Sequence, residues 1–131
     1  MRQGREDEGI SEADKDLFEI VYTFVRKVPP GKVVTYGQVA GSITDVALTA
    51  RQVGHAMRFA PNDVPWQRVV GAGGHLPIAR RSPQMKLLQR RLLEQEGVTF
   101  LPNAEDQVDM SRFQWLPNPA STAQGSLFEE E

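Results

Sequence analysis

Val64-Pro65-Trp66-Gln67-Arg68-Val69-Val70 joins a proline-fixed entry, a large aromatic, an amide, a guanidinium and a β-branched pair. Pro65 has its own φ held at about −65° and disfavours the α region for Val64, so Trp66 is presented from a stiff bend. On the heptapeptide alone, the reading is a short buried strand with Trp66 as core filler, because large aromatics are most often core.

Downstream, Gly71-Ala72-Gly73-Gly74-His75-Leu76-Pro77 has no P-loop lysine or Ser/Thr in register and reads as a flexible turn, not a nucleotide-phosphate cradle. Ile78-Ala79-Arg80-Arg81 follows. Ser82 with Pro83 at the first helical position is a strong helix start. Met85, Leu88 and Leu92 predict one apolar face with Leu87 and Leu93 alongside, and Gly97 ends the helix after Glu96.

Upstream, Phe59 to Asp63 is a Pro/Asn loop. Before it, Thr49 is an N-cap candidate for a helix over Ala50 to Arg58, with Val53, Ala56 and Met57 on one face and Arg51, His55 and Arg58 on the other. Ala50, Gly54 and Ala56 keep parts of that helix low, and Gly54 costs roughly 1 kcal/mol of helix propensity relative to alanine. Packing or access to another backbone would account for it. Val33-Val34 suggests a short extended piece, and Thr35 caps a short helix from Tyr36 to Ser42. Two short helices, a tight connection and a basic outer face form the pattern of a helix-turn-helix. Further upstream, Ser11 is an N-cap, and Leu17, Ile20, Val21, Phe24 and Val25 form the stripe of an amphipathic helix stopped by Pro29-Pro30-Gly31.

The 131 residues, 40% hydrophobic and 24% charged, fit one compact domain. No apolar run approaches the ~20 residues that span a bilayer, and the start Met-Arg-Gln-Gly-Arg-Glu-Asp-Glu lacks a signal-peptide apolar region. A cytoplasmic location is expected, nucleoid-associated in a bacterium. There is no cysteine, which excludes disulfides, thiolate zinc sites and a cysteine nucleophile. His55 and His75 alone do not make a metal site, so neither metal nor cofactor is expected. The net charge of −2 hides a segregation: Arg26 to Arg91 holds 11 of the 15 Lys/Arg and only Asp45 and Asp63 of the 17 acids. A phosphate-binding surface needs local positive charge, whatever the total. Residues 1–10 are expected to be a disordered arm and 118–131 an acidic, disordered tail, within which Leu127-Phe128 reads as idle chain or as a short docking motif.

Pro65-Trp66-Gln67-Arg68-Val69 resembles the Pro-Cys-His-Arg-Val reactive site of the O6-alkylguanine-DNA alkyltransferases, with Trp66 in the cysteine position and Gln67 in the histidine position. Tryptophan in place of that cysteine is the hallmark of the alkyltransferase-like proteins. The resemblance extends over roughly Asp14 to Pro117, through Tyr36-Gly37, Ala50-Arg51, Val53-Gly54, Ala56-Met57-Arg58, Glu96-Gly97 and the aromatic-Trp-x-Pro ending at Pro117. It implies that Ala50 to Arg58, with Ala50, Gly54, Met57 and Arg58, is a recognition helix entering the minor groove. It further implies that Arg51 fills the gap left by a flipped nucleotide and that Tyr36 helps rotate the phosphate. Arg80, with Arg81 as second choice, would probe the base by cation–π contact; the alternative is that both arginines contact phosphates. Val70 is counted with these DNA-facing residues, and Asn62 with the family's asparagine hinge. Glu96 remains where a glutamate polarises the histidine, and it would hydrogen-bond Gln67 or a backbone amide beside Arg68, supporting the pocket. The proton relay is absent, since glutamine has no titratable nitrogen and indole only donates.

The expected fold is therefore mostly α: a single winged-helix-like DNA-binding domain over 11–117, a helix-turn-helix with a small β element as in the C-terminal domain of the transferases. The expected function is non-enzymatic sensing of O6-alkylguanine in double-stranded DNA by a monomer. It would proceed by minor-groove docking and base flipping without alkyl transfer, marking the lesion for nucleotide excision repair proteins. The alternative is a winged-helix regulator of undamaged DNA, and no membrane partner is expected.

Overall fold

Thr35 and Thr49 start their helices in the same way. Each hydroxyl accepts the amide of the residue three further on, and that residue, Gln38 or Gln52, returns its side chain to the threonine amide. These reciprocal capping boxes satisfy amides that a helix end leaves without partners. The computed structural model describes residues 12–76 and 82–116. The expected arm at 1–10, the Ser11 cap, Arg80, Arg81 and the expected tail at 118–131 lie outside them.

The element order is α1 (Glu12–Val25), β1 (Val34–Thr35), α2 (Tyr36–Ser42), α3 (Ala50–Arg58), a 3-10 turn (Trp66–Arg68), β2 (Val69–Val70), a second 3-10 turn (Ala72–Gly74), α4 (Pro83–Gln95) and α5 (Met110–Phe113). This is the mostly helical fold with a small sheet that the sequence predicts, and α2 and α3 form its helix-turn-helix pair. β1 and β2 are parallel, with Val34 opposite Val69 and Thr35 opposite Val70.

Side chains alternate across a strand, and here that alternation divides two cores. Val34 and Val69 join Val21, Tyr22, Val25, Val39, Val53 and Ala56 beneath the helix pair. Val33 and Val70 point the other way, into a cluster with Leu76, Leu93, Val98 and Val108. Trp115 packs against the first core, its ring 6.0 Å from Phe24, and its amide donates to the Val33 carbonyl at 2.7 Å. The tryptophan of the aromatic-Trp-x-Pro stretch thus closes the core.

Four expectations need correction. The buried stripe of α1 runs through Phe18, Val21, Tyr22 and Val25, with Leu17, Ile20 and Phe24 only partly buried. Partners on α3 cause the rotation: the Tyr22 hydroxyl donates to the Ala56 carbonyl at 2.8 Å, and Phe18 packs edge-on to His55 and stacks on Phe59. His55 thereby joins an aromatic cluster while keeping its place beside Arg51 and Arg58 on the basic face that the sequence predicts. On α4, Met85, Leu87 and Leu88 are exposed while Gln89 and Leu93 are buried, because Gln89 finds carbonyl partners that leucine cannot use.

The glycine-rich stretch is built rather than flexible. Gly71 donates to the His75 carbonyl at 2.7 Å, and the Gly74 carbonyl accepts from Val108 at 2.9 Å. Gly74 has φ +96°, and a Cβ there would lie 2.6 Å from the Val108 carbonyl oxygen. Only glycine suits both the backbone angle and the close approach. Finally, Val70 is completely buried, held there by strand pairing and the second core, and does not face DNA.

Candidate nucleic-acid interface

Pro65 sets the pocket, as the proline rules lead one to expect. The chain leaves it directly into the 3-10 turn, with the Trp66 amide on the Val64 carbonyl at 2.7 Å and the Arg68 amide on the Pro65 carbonyl at 3.0 Å. Val64 goes into the core and Trp66 does not: its indole is half-buried and lines a cavity of about 470 Å³ with Met57, Arg58, Ala60, Asn62, Ser82 and Met85. The core-filler reading of Trp66 is thereby replaced by that of a pocket wall. Thioethers and an indole give the cavity a polarizable lining suited to a flat aromatic guest, and Arg58 supplies a fixed positive charge.

Below the turn, Glu96 at the end of α4 gathers three partners. Its Oε2 accepts from Gln67 Nε2 at 2.9 Å and from Arg68 Nη2 at 2.9 Å, and its Oε1 from Arg68 Nε at 3.0 Å and the Gly31 amide at 3.0 Å. Arg68 also donates Nη1 to the Val28 carbonyl at 2.9 Å. The sequence offered Gln67 or a backbone amide as the partner of Glu96; the structure supplies both. Burial pushes the Glu96 carboxyl up, but the hydrogen bonds from Arg68, Gly31 and Gln67 and the Arg68 charge outweigh it and leave its pKa below the ordinary glutamate value. Glu96 is an anchored carboxylate, and the Gln67 amide it holds has no titratable nitrogen.

Helix α3 presents Arg51, Gln52, His55 and Arg58 around a shallow depression of about 440 Å³. Arg58 lines both this depression and the Trp66 pocket, so the two adjoin at that side chain. Ala50 is exposed, and among the described residues no heavy atom beyond the local backbone of α3 lies within 4 Å of where a Gly54 Cβ would stand. Packing among the described residues therefore does not account for Gly54, and α3 is open at that position. Tyr36 opens α2 directly after its cap and packs half-buried against the first core.

The structure thus brings together Trp66, Met57 and Arg58 at the pocket, Arg51 and Gly54 on the adjoining helix face, and Gln67, Arg68 and Glu96 beneath. Asn62, counted above with the asparagine hinge, is exposed at the pocket mouth. Sequence reasoning missed Ser82 and Met85 as pocket lining, Gly31 as a partner of Glu96, and Gln89. A polar residue one helical turn before the buried Leu93 was the available signal for the last.

The fold and this site define a DNA-binding domain of the alkylguanine-repair type, and residues 16–98 match the family described as 6-O-methylguanine DNA methyltransferase, DNA binding domain. Alkyltransferase-like protein 1 of Schizosaccharomyces pombe is 33% identical over 107 residues, spanning 78% of this chain and 96% of that protein. The DNA base-flipping protein of Escherichia coli is 34% identical over 97 residues, spanning 72% of this chain and 70% of that one. The crystal structure of S. pombe Atl1 in complex with damaged DNA containing O6-carboxymethylguanine superposes with a TM-score of 0.67 at 31% identity, covering 79% of this chain and 97% of that chain. The chain belongs to the alkyltransferase-like proteins.

Proposed function

We propose that this protein is a non-enzymatic sensor that extrudes an O6-alkylguanine from duplex DNA, holds it against Trp66 and transfers nothing. The observation that carries the reading is the Trp66 pocket of about 470 Å³, which opens beside the recognition helix and has an indole where a nucleophile would stand. The chain has no cysteine to accept an alkyl group. Flipping costs a few kcal/mol, less at a weakened pair, so O6-alkylation favours extrusion before any specific contact forms. Arg51 has the chemistry to replace lost stacking among phosphates: flat and permanently charged. Ala50 and Gly54 keep the helix low enough for a narrow minor groove, and Tyr36 offers a hydroxyl to a rotated phosphate. The S. pombe relative has been crystallised with damaged DNA, and the E. coli relative is named for base flipping. A monomer acting in the cytoplasm that hands its persistent complex to nucleotide excision repair proteins is the biological setting of this reading.

The test is affinity for one duplex with and without a single O6-methylguanine at two salt concentrations, followed by analysis of the recovered base. Tighter binding to the lesion with the methyl group intact is expected. Equal affinities with only a salt slope would leave a general DNA binder, and loss of the methyl group would make the protein an enzyme.

A further inference from the structure

Gln89 is the buried polar side chain among the described residues, 2% exposed, on a helix where leucines one and four positions away are abundant. Its amide nitrogen reaches two backbone carbonyls, Gln67 at 3.2 Å and Val69 at 3.1 Å. A carbonyl can only accept, so the NH2 end must face the turn and both of its protons are used there. The other end is then left over: Oε1 is buried and has no hydrogen-bond partner among the described residues. An unpaired buried acceptor is unfavourable, and an apolar residue would avoid it. The reason for a glutamine here therefore lies in what its donors hold.

They hold the segment that carries Trp66. β2 has β1 along one side, and the Gln89 amide bonds its Val69 carbonyl. Gln67 is gripped twice from the same region of the protein, by Gln89 at its backbone oxygen and by Glu96 at its side chain. With the residue after Trp66 fixed at both ends and Pro65 fixed before it, the peptide that aims the indole has little freedom left.

We infer that Gln89 is a positioning residue for the lesion pocket, setting the plane of the Trp66 indole through the Gln67 and Val69 carbonyls. This rests on the sensor reading above, but its first consequence is visible without DNA. In a Trp115→Phe background Trp66 is the only one of the chain's two tryptophans that remains. There, Gln89→Met keeps the shape and removes both donors, Gln89→Glu replaces donors by acceptors, and Gln89→Lys keeps N–H donors on a stem of similar length. Three readouts apply: far-UV circular dichroism, acrylamide quenching of Trp66 in the free protein, and affinity for a duplex with and without O6-methylguanine.

For Gln89→Met and Gln89→Glu, Trp66 is expected to become more accessible to quencher and the lesion preference to fall by about tenfold, as for other losses of a supporting shell. Affinity for the unmodified duplex should stay within about twofold, and Gln89→Lys should restore both readouts. A folded Gln89→Met protein with unchanged quenching and unchanged lesion preference would overturn the inference. So would an equal loss on both duplexes, or loss of the fold in both donor-less variants, either of which makes Gln89 a stability residue. If the parent shows no lesion preference, the sensor reading fails, while the quenching comparison still decides whether Gln89 places Trp66.

Discussion

Arg68 grips Glu96 with two of its nitrogens, Nε at 3.0 Å from Oε1 and Nη2 at 2.9 Å from Oε2, with only 15% and 14% of the two side chains exposed. A planar guanidinium meeting both oxygens of a carboxylate in a half-dry setting is far from the loose surface pairs that contribute little. The pair ties the end of α4 to the turn that carries Trp66, while Arg68 Nη1 and the Gly31 amide tie both to the loop after α1.

Removing one partner should be worse than its hydrogen-bond count suggests, because the other is left charged and poorly solvated. Glu96→Ala is expected to lower unfolding stability by about 2–4 kcal/mol, and Arg68→Ala by a similar amount. The double variant should lose less than the sum of the two. Urea unfolding of the four proteins gives the coupling directly; additive losses would mean that the pair is not the joint.

The same carboxylate makes stability fall in acid. Glu96 is held below its ordinary value by the bonds that outweigh its burial, and Asp106 by hydrogen bonds from Lys86 and Arg90. For a carboxyl depressed in the fold, the contribution is fully present above the unfolded value, about 4.3 for glutamate and 3.9 for aspartate. It is lost as pH falls through the folded value. Thermal unfolding midpoints should therefore be level near neutrality and drop below roughly pH 4. Glu96→Gln should make that drop shallower, and an unchanged acid limb would assign it to other groups.

Gly54 separates stability from binding. Among the described residues, nothing beyond the local backbone of α3 lies within 4 Å of its missing Cβ, so Gly54→Ala is expected to stabilise α3 by up to about 1 kcal/mol. On the function proposed above, the added methyl would stand on the face that meets the minor groove, and DNA affinity should drop. A variant that is both more stable and equally tight would show that this face does not approach the duplex.

Local signals carried well from sequence to structure. Thr35, Thr49, the Ser82-Pro83 start and Gly97 all mark helix ends where the chain rules put them. What failed was the choice of buried face. Leucines at regular spacing on α4 looked like core, yet the helix docks through Gln89 and Leu93, because the surface it meets offers backbone carbonyls as well as apolar groups. Val98 to Phe113 gave no periodic signal at all. It closes the second core by isolated bridges, Phe100 with Val108 and His75 with Gln107, pairings between distant residues that no local pattern records. The grouping of Trp66, Gln67 and Glu96 was legible through family resemblance; the chemistry of the separate residues did not reveal it.

The two-residue parallel pairing of Val34 with Val69 and Thr35 with Val70 encloses α2, α3 and the Trp66 turn in one loop of chain. Closing a loop of that length carries an entropic cost that must be met before the short strands return anything. Such non-local closure slows folding relative to helix formation alone. Isolated helices as short as α2 and α3 are marginal in water. A chain that has lost this pairing therefore keeps neither an α3 of its own nor half a pocket: the proposed reading apparatus is assembled and dismantled as one unit with the strands.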